Sequence, residues 1–288
     1  MQQVQTVQFE PAVGVGLRHP HYKDALSQPP ALQFVEVHAE NFYMDGGPAL
    51  SLLHEVRQRF DVSIHATSLG LGGEQAPPAT ELRRLCRLVD AIDPILVSDH
   101  ACFAWHGTDG QRLHAGDLLP IAYNDHALEQ FCANVDSVQQ VLGRQLLVEN
   151  LSAYLNWPDS TMGEFEFLQR MCERTGAGLL LDLNNIFVNA VNAGLEPQLE
   201  VIRVIASLDA RHIGEVHLAG STPQPEGDLL IDDHGTEVPE PVWRGYEQLL
   251  AVLGPKPTLV EWDTQLPTWQ VLLEQAQRAR RLLRERHA

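Results

Sequence analysis

Gly178-Leu-Leu-Leu-Asp182 is apolar until its last position, where a carboxylate closes it, and Asn184 and Asn185 follow directly. So short and continuously apolar a run fits a strand buried on both faces, because a sheet with one wet side would alternate apolar and polar residues. Seven more runs repeat the design: Ala12–Leu17, Phe34–His38, Val62–Ala66, Ile95–Asp99, Leu146–Glu149, Ile213–His217 and Thr258–Glu261. Stretches with apolar residues at helical spacing lie between them, at Ala49–Phe60, Thr80–Ile92, Asp125–Leu142, Gly163–Arg174, Pro197–Leu208, Pro241–Leu253 and Thr268–His287. Strand followed by helix, repeated about eight times, is the pattern of a closed parallel sheet. The expected fold class is therefore α/β, a single (β/α)8 TIM barrel over residues 1–288.

Thr80 is expected to cap the second helix and Asn124 or Asp125 the third, while Gly143 and Gly176 stand just past helix ends, where a left-handed conformation is favoured. Long loops are expected at Leu69–Pro78, Ala101–Leu119, Leu151–Met162 and Ala219–Glu240, all on the face where the strands end. Gly70, Gly72 and Gly73 suggest a mobile loop over that mouth rather than a phosphate cradle. Gly14-Val15-Gly16 lacks the third glycine that a dinucleotide fingerprint needs.

The 288 residues are 44% hydrophobic and 20% charged, enough apolar material for a substantial core. Against 20 basic side chains stand 38 acidic ones, and the formal charge of −18 repels a nucleic-acid backbone. The one dense basic run, Arg278–Arg284, reads as a solvated helix end. Cys86, Cys102, Cys132 and Cys172 lack paired spacing and read as buried thiols. Met1–Gln8 has no secretion-signal pattern, and no apolar run nears the ~18 residues of a membrane span, so a cytoplasmic protein is expected.

What ends each apolar run carries the chemistry. The second run closes with Glu36 and His38, the third with His65, the fourth with Asp99 and His100, and the fifth with Glu149 and Asn150. The sixth closes with Asp182, Asn184 and Asn185, the seventh with Glu215 and His217, and the eighth with Glu261 and Asp263. In a barrel these ends meet at one mouth, so groups remote in sequence become neighbours. Several carboxylates and neutral imidazoles crowded there would be costly without cations, because burial and mutual repulsion both oppose ionisation. Imidazole with carboxylate and no thiolate is the donor set of catalytic iron, manganese or zinc. Asp232-Asp233-His234, in the loop after the seventh run, adds a further carboxylate and imidazole. Glu215 reads equally as an inward packing group or a support for a ligand, Glu36 and His38 as supports for ligands or substrate contacts, and Asn150 and Asn184 as amides that orient carboxylates.

The segments GLRHPHY (Gly16–Tyr22), EVHAENF (Glu36–Phe42), SIHATSLG (Ser63–Gly70), VSDH (Val97–His100) and LLVEN (Leu146–Asn150) resemble the MbnB/TglH-like multinuclear non-haem iron enzymes. So do LLLDLNN (Leu179–Asn185), EVHLAG (Glu215–Gly220), IDDHG (Ile231–Gly235) and VEWD (Val260–Asp263), in the right order over nearly the whole chain. The resemblance implies a xylose-isomerase-like barrel with metal ligands at His65, His100, Glu149, Asp182, His217, Asp232, His234 and Glu261, holding two or three iron ions, or alternatively zinc or manganese. It leaves Glu36, His38, Asp99, Asn150, Asn184, Asn185 and Glu215 as supporting or substrate-contacting groups. The layout is also similar to that of trinuclear zinc endonucleases acting on abasic DNA, but those carry a histidine where this chain has Asn185.

The resemblance further implies oxidative modification of cysteine in a ribosomally made precursor peptide, presented by a small partner protein. No nucleic acid or membrane is expected as partner, and a homodimer is left open. The alternatives are a zinc- or manganese-dependent hydrolase or sugar isomerase on the same barrel, which needs only Lewis-acid metals, and a non-catalytic metal-binding subunit.

Overall fold

The computed structural model describes residues 12–27, 32–107, 111–224, 227 and 229–285. The polar segment Met1–Gln8 and the expected helix end at residues 286–287 lie outside them. Eight parallel strands close into a barrel in chain order: β1 (Val13–Gly16), β2 (Phe34–His38), β3 (Asp61–His65), β4 (Leu96–His100), β5 (Leu147–Glu149), β6 (Gly178–Asp182), β7 (Ile213–Leu218) and β8 (Thr258–Val260). Each expected strand is present, displaced by a residue or so at its ends. Nearly every strand position is buried, as strands walled by helices outside and packed side chains inside must be.

The outer layer consists of α1 (Tyr22–Ser27), α2 (Gly47–Arg57), α3 (Ala79–Ile92), α4 (Asp125–Leu142), α5 (Glu164–Thr175), α6 (Leu183–Asn192), α7 (Pro197–Ser207), α8 (Glu240–Leu253) and α9 (Trp269–Glu285). Asn124 caps α4 by accepting the Ala127 N–H at 2.9 Å, and Gly143 and Gly176 take the left-handed conformation behind α4 and α5. Thr80 is not a cap. Extended Pro78 leads directly into α3, so Thr80 already sits inside the first turn. Cys102, Cys132 and Cys172 are buried, but Cys86 is only half-buried on α3. Within the expected solvated run, Arg278 instead donates to Glu240 at 2.8 Å and lies 4.6 Å from the centre of the Trp243 ring.

Two of the long loops carry structure of their own. Residues Phe103–His106 and Leu113–Leu119 form an antiparallel ribbon after β4, and Thr222–Pro223 pairs with Leu230–Ile231 after β7. The glycine loop after β3 is not the free lid that its glycines suggest. Leu69 and Leu71 are fully buried, and the Asn134 amide donates to the carbonyls of Leu71 and Gly73 at 2.8 Å. A Cβ on Gly72 would stand 2.3 Å from Ile121, so that glycine is there for close packing.

Glu164, in the first turn of α5, accepts the Leu151 N–H at 2.9 Å and the Tyr123 hydroxyl at 3.1 Å, tying the loop after β5 to the barrel wall. Burial pushes its carboxyl up to about 7. A raised acid binds its proton more tightly in the folded state, so this contribution is present at low pH and lost as pH rises through about 7. Glu164→Gln keeps an oxygen for both donors without the charge. Urea unfolding at pH 8 is expected to show it more stable than the parent by roughly 1–2 kcal/mol, with little difference at pH 4.

Candidate metal centre

Register decides which rim residues meet. Across the ladders His38 stands beside His65, His100 beside Glu149, and Asp182 beside His217, while Glu261 follows β8 with its N–H on the Leu218 carbonyl. All eight expected ligands come together at the mouth. Glu149 is the hub: its Oε2 lies 3.4 Å from His65 Nε2 and 3.3 Å from His100 Nε2, and its Oε1 3.9 Å from His217 Nδ1. Glu261 Oε2 lies 3.0 Å from His217 Nδ1 and 3.3 Å from His234 Nδ1, and His234 Nε2 stands 2.8 Å from Asp232 Oδ1.

Of five donor groups among the described residues that are each close enough to hold a cation, three consist wholly of expected ligands: His65, His100 and Glu149; Glu149, Asp182 and His217; and Asp182, His234 and Glu261. Glu149 and Asp182 each belong to two sets, so the three places form one connected cluster.

The donor chemistry fits metal ions. Glu149 Oε2 and Asp182 Oδ2 are sealed from solvent without a hydrogen-bond partner, as is the Asn185 side-chain oxygen. An orphaned buried polar atom costs about 1–3 kcal/mol, so three together would be an anomaly unless something bonds them. Burial, reinforced by His100, holds His65 well below the usual imidazole range, and burial brings His100 down to about 4. Both rings therefore stay neutral with a lone pair to offer. Burial drives Glu149 well above the carboxylate range and Asp182 up to about 7. Burial also opposes the charge on Glu261, yet His234 and His217 outweigh it and pull this carboxyl well down.

The surrounding groups hold these donors in place. Ser98 Oγ pairs with His65 Nδ1 at 2.8 Å, leaving Nε2 for a cation. Glu36, fixed by the Ser63 hydroxyl at 2.8 Å, presents Oε1 to His217 Nε2 at 3.5 Å, which turns His217 Nδ1 to the cluster. Asn150 clamps the backbone of Asp182 from both sides, accepting its N–H at 2.9 Å and donating to its carbonyl at 3.0 Å. Asp182 Oδ1 caps α6 by accepting the Asn185 N–H at 2.7 Å, which leaves Oδ2 free. Asn184 and Ser152 each donate to Asp232 at 2.8 Å. His234 holds a left-handed backbone (φ 45°), a strain of about 1–3 kcal/mol that such sites commonly store.

Not every expected site residue faces the cluster. Asp99 turns to the backbone, accepting the N–H groups of Leu69 at 3.0 Å and His100 at 2.6 Å. Glu36 and Glu215 are fully buried and, with His217, form a further group whose donor atoms lie close enough to hold a cation. Sequence reasoning missed Arg18. The first strand is the one that brings neither carboxylate nor imidazole, and the basic residue just past its end was the available signal. A cavity of about 830 Å³ runs along α5, α6 and α7, lined by none of the eight expected ligands; it reaches Tyr154, whose hydroxyl accepts the Asp232 N–H at 2.8 Å.

This is the architecture of a xylose-isomerase-like barrel with a candidate multinuclear metal centre at its mouth. Endonuclease IV from Thermus thermophilus superposes with a TM-score of 0.59 over 96% of this chain and 98% of its own, at 17% identity. D-allulose 3-epimerase from Methylomonas sp. gives a TM-score of 0.60 over 99% and 100%, at 12% identity, and both show likeness of fold alone. Residues 12–284 match the family described as RiPP precursor modification enzyme MbnB/TglH/ChrH, and the chain belongs to that family. It is 44% identical over 269 residues to a UPF0276 protein of Rhizorhabdus wittichii, covering 93% of each chain. A UPF0276 protein of Chromobacterium violaceum is 42% identical over 270 residues, 94% of each. Among the described residues no helix is long and apolar enough to cross a membrane.

Asp182 ties metal uptake to pH. With its carboxyl raised to about 7, a cation binding below that pH must displace a proton. Affinity measured by titration calorimetry is expected to fall about tenfold per pH unit for each proton displaced below pH 7. The same raised value stabilises the metal-free fold at low pH and is lost as pH rises through about 7. Chelated protein should therefore lose thermal stability between pH 5 and 8, and metal should restore it.

Proposed function

We propose that this protein is a cytoplasmic non-haem iron-dependent oxidase that modifies a cysteine of a ribosomally synthesised precursor peptide, working with a small partner protein that presents the peptide. The observation that carries the reading is the connected cluster of buried nitrogen and oxygen donors, thiolate-free, in a chain of the peptide-modifying family. His65, His100 and Glu149 would hold one ion, and Glu149, Asp182, His217 and Glu261 a second. Asp182, Asp232, His234 and Glu261 would hold a third, with the amide oxygen of Asn185 standing where the zinc endonucleases carry an imidazole. Bound iron would supply dioxygen-dependent oxidation at the carbon beside the cysteine sulfur, chemistry that side chains lack.

The protein's own groups prepare that reaction. Neutral His65 and His100 leave the first place with a single carboxylate, Glu149, so its net charge favours an incoming thiolate. The burial of Glu149, Asp182 and His217 excludes water from the base of the site. Ser98, Glu36 and Asn150 fix the ligand orientations before substrate arrives. The likeness to epimerases and to endonuclease IV adds no substrate to this reading, because it is one of fold.

Protein purified without oxygen should contain two or three irons per chain by elemental analysis and give Mössbauer signals of more than one iron environment. It should change the mass of a short cysteine-containing peptide encoded beside its gene when the neighbouring partner protein is present. Zinc alone, or modification that persists after Glu149→Ala and Glu261→Ala, would overturn the reading.

A further inference from the structure

His38, Glu261 and Asp263 form another group whose donor atoms lie close enough to hold a cation. The place is already taken by the buried guanidinium of Arg18. Its Nε donates to Asp263 Oδ1 at 2.7 Å, and its Nη2 stands 2.5 Å from the same oxygen, 3.0 Å from Glu261 Oε1 and 2.9 Å from His38 Nε2. Nη1 reaches the Glu36 carbonyl at 3.4 Å. A Cβ on Gly16 would stand 3.1 Å from Arg18 Nη1, so that strand-end glycine leaves room for the cation.

A guanidinium has donors only, so the ring nitrogen it meets at 2.9 Å, His38 Nε2, must accept. The proton of a neutral His38 ring then sits on Nδ1. That nitrogen has no hydrogen-bond partner among the described residues and is not sealed from solvent, and the side chain is 24% exposed at the lip of the cluster. We propose that Arg18 stands in for a further metal ion and locks His38 as the Nδ1–H tautomer, so that His38 donates a hydrogen bond to an oxygen of the bound substrate. For a cysteine peptide, the substrate class on which this inference rests, that oxygen is a backbone carbonyl or carboxylate next to the reacting residue. Arg18 is a positioning residue: it acts through His38 and through the carboxylates of Glu261 and Asp263.

The test uses the zinc-loaded, diamagnetic full chain with nitrogen-15-labelled histidine, and N-acetyl-L-cysteine N-methylamide as probe. Long-range proton–nitrogen spectra should show His38, assigned by its loss in His38→Phe, protonated at Nδ1 and bare at Nε2. Arg18→Met should abolish that assignment and Arg18→Lys should retain it. The probe should shift the Nδ1–H signal. His38→Phe should weaken its binding about tenfold at unchanged metal content, and His38→Asn, which keeps a donor at similar reach, should restore most of it. A proton on Nε2 in the parent chain overturns the lock, and equal binding by His38→Phe overturns the donor role. A probe that binds neither form contradicts the cysteine-peptide reading and the donor role with it, while the spectra still decide the part of Arg18.

Discussion

Glu149 stands at the base of the barrel mouth with two neutral imidazoles against one oxygen and a third ring near the other. A carboxylate so placed, almost without exposure, is unfavourable by itself, and burial, joined by the neighbouring carboxylates of Asp182 and Glu261, drives its carboxyl well above the ordinary range. Asp182 repeats the situation one strand further on. Two such groups, each shared between neighbouring donor sets, make the mouth an unfinished electrostatic object that cations complete. Sharing also couples the places. Whatever disturbs Glu149 or Asp182 touches two sets at once, so cation binding at one should depend on binding at the next.

Around that centre the chain spends most of its buried polar contacts on orientation. Asn150 grips the backbone of Asp182, Ser98 fixes the His65 ring, Ser63 and Glu36 back His217, and Asn184 with Ser152 hold Asp232. Asp99, equally acidic and equally buried, is diverted to the backbone of the loop after β3. One strand end therefore serves the site with His100 and the scaffold with Asp99. Arg18 adds a fixed positive charge at the opposite edge, satisfied by Asp263 and Glu261. At that edge the charge is carried by a guanidinium, which does not drift with pH as an imidazole's would.

The barrel was legible because its information is local. Each strand is a short apolar run, and every run but the first ends in a group that would be out of place in a core. The rim followed from that same feature once closure was assumed, and the resemblance to the MbnB/TglH-like enzymes implied which eight residues, Asp232 and His234 of the loop after the seventh run among them, would be ligands. What was hidden has particular causes. Helix α6 begins at the residue that ends β6, with Asp182 serving as both strand terminus and N-cap, so no turn signal separates them. The ribbon after β4 runs through mostly exposed residues at its second strand and lacks an alternating apolar face. Thr80 has the chemistry of a cap but stands two residues past the proline that starts the helix. Arg18 escaped because a lone basic residue is usually solvated. Only the assembled barrel shows that strands β1, β2 and β8 enclose it.

The most direct measurement is anomalous X-ray scattering from crystals of the metal-loaded protein, recorded on either side of the iron absorption edge. Peaks should appear inside the donor sets joined by Glu149 and Asp182, and the peaks flanking Glu149 should both weaken in Glu149→Gln. No anomalous density at the mouth of fully loaded protein, or density held by residues outside these sets, would contradict the claim that cations complete the site.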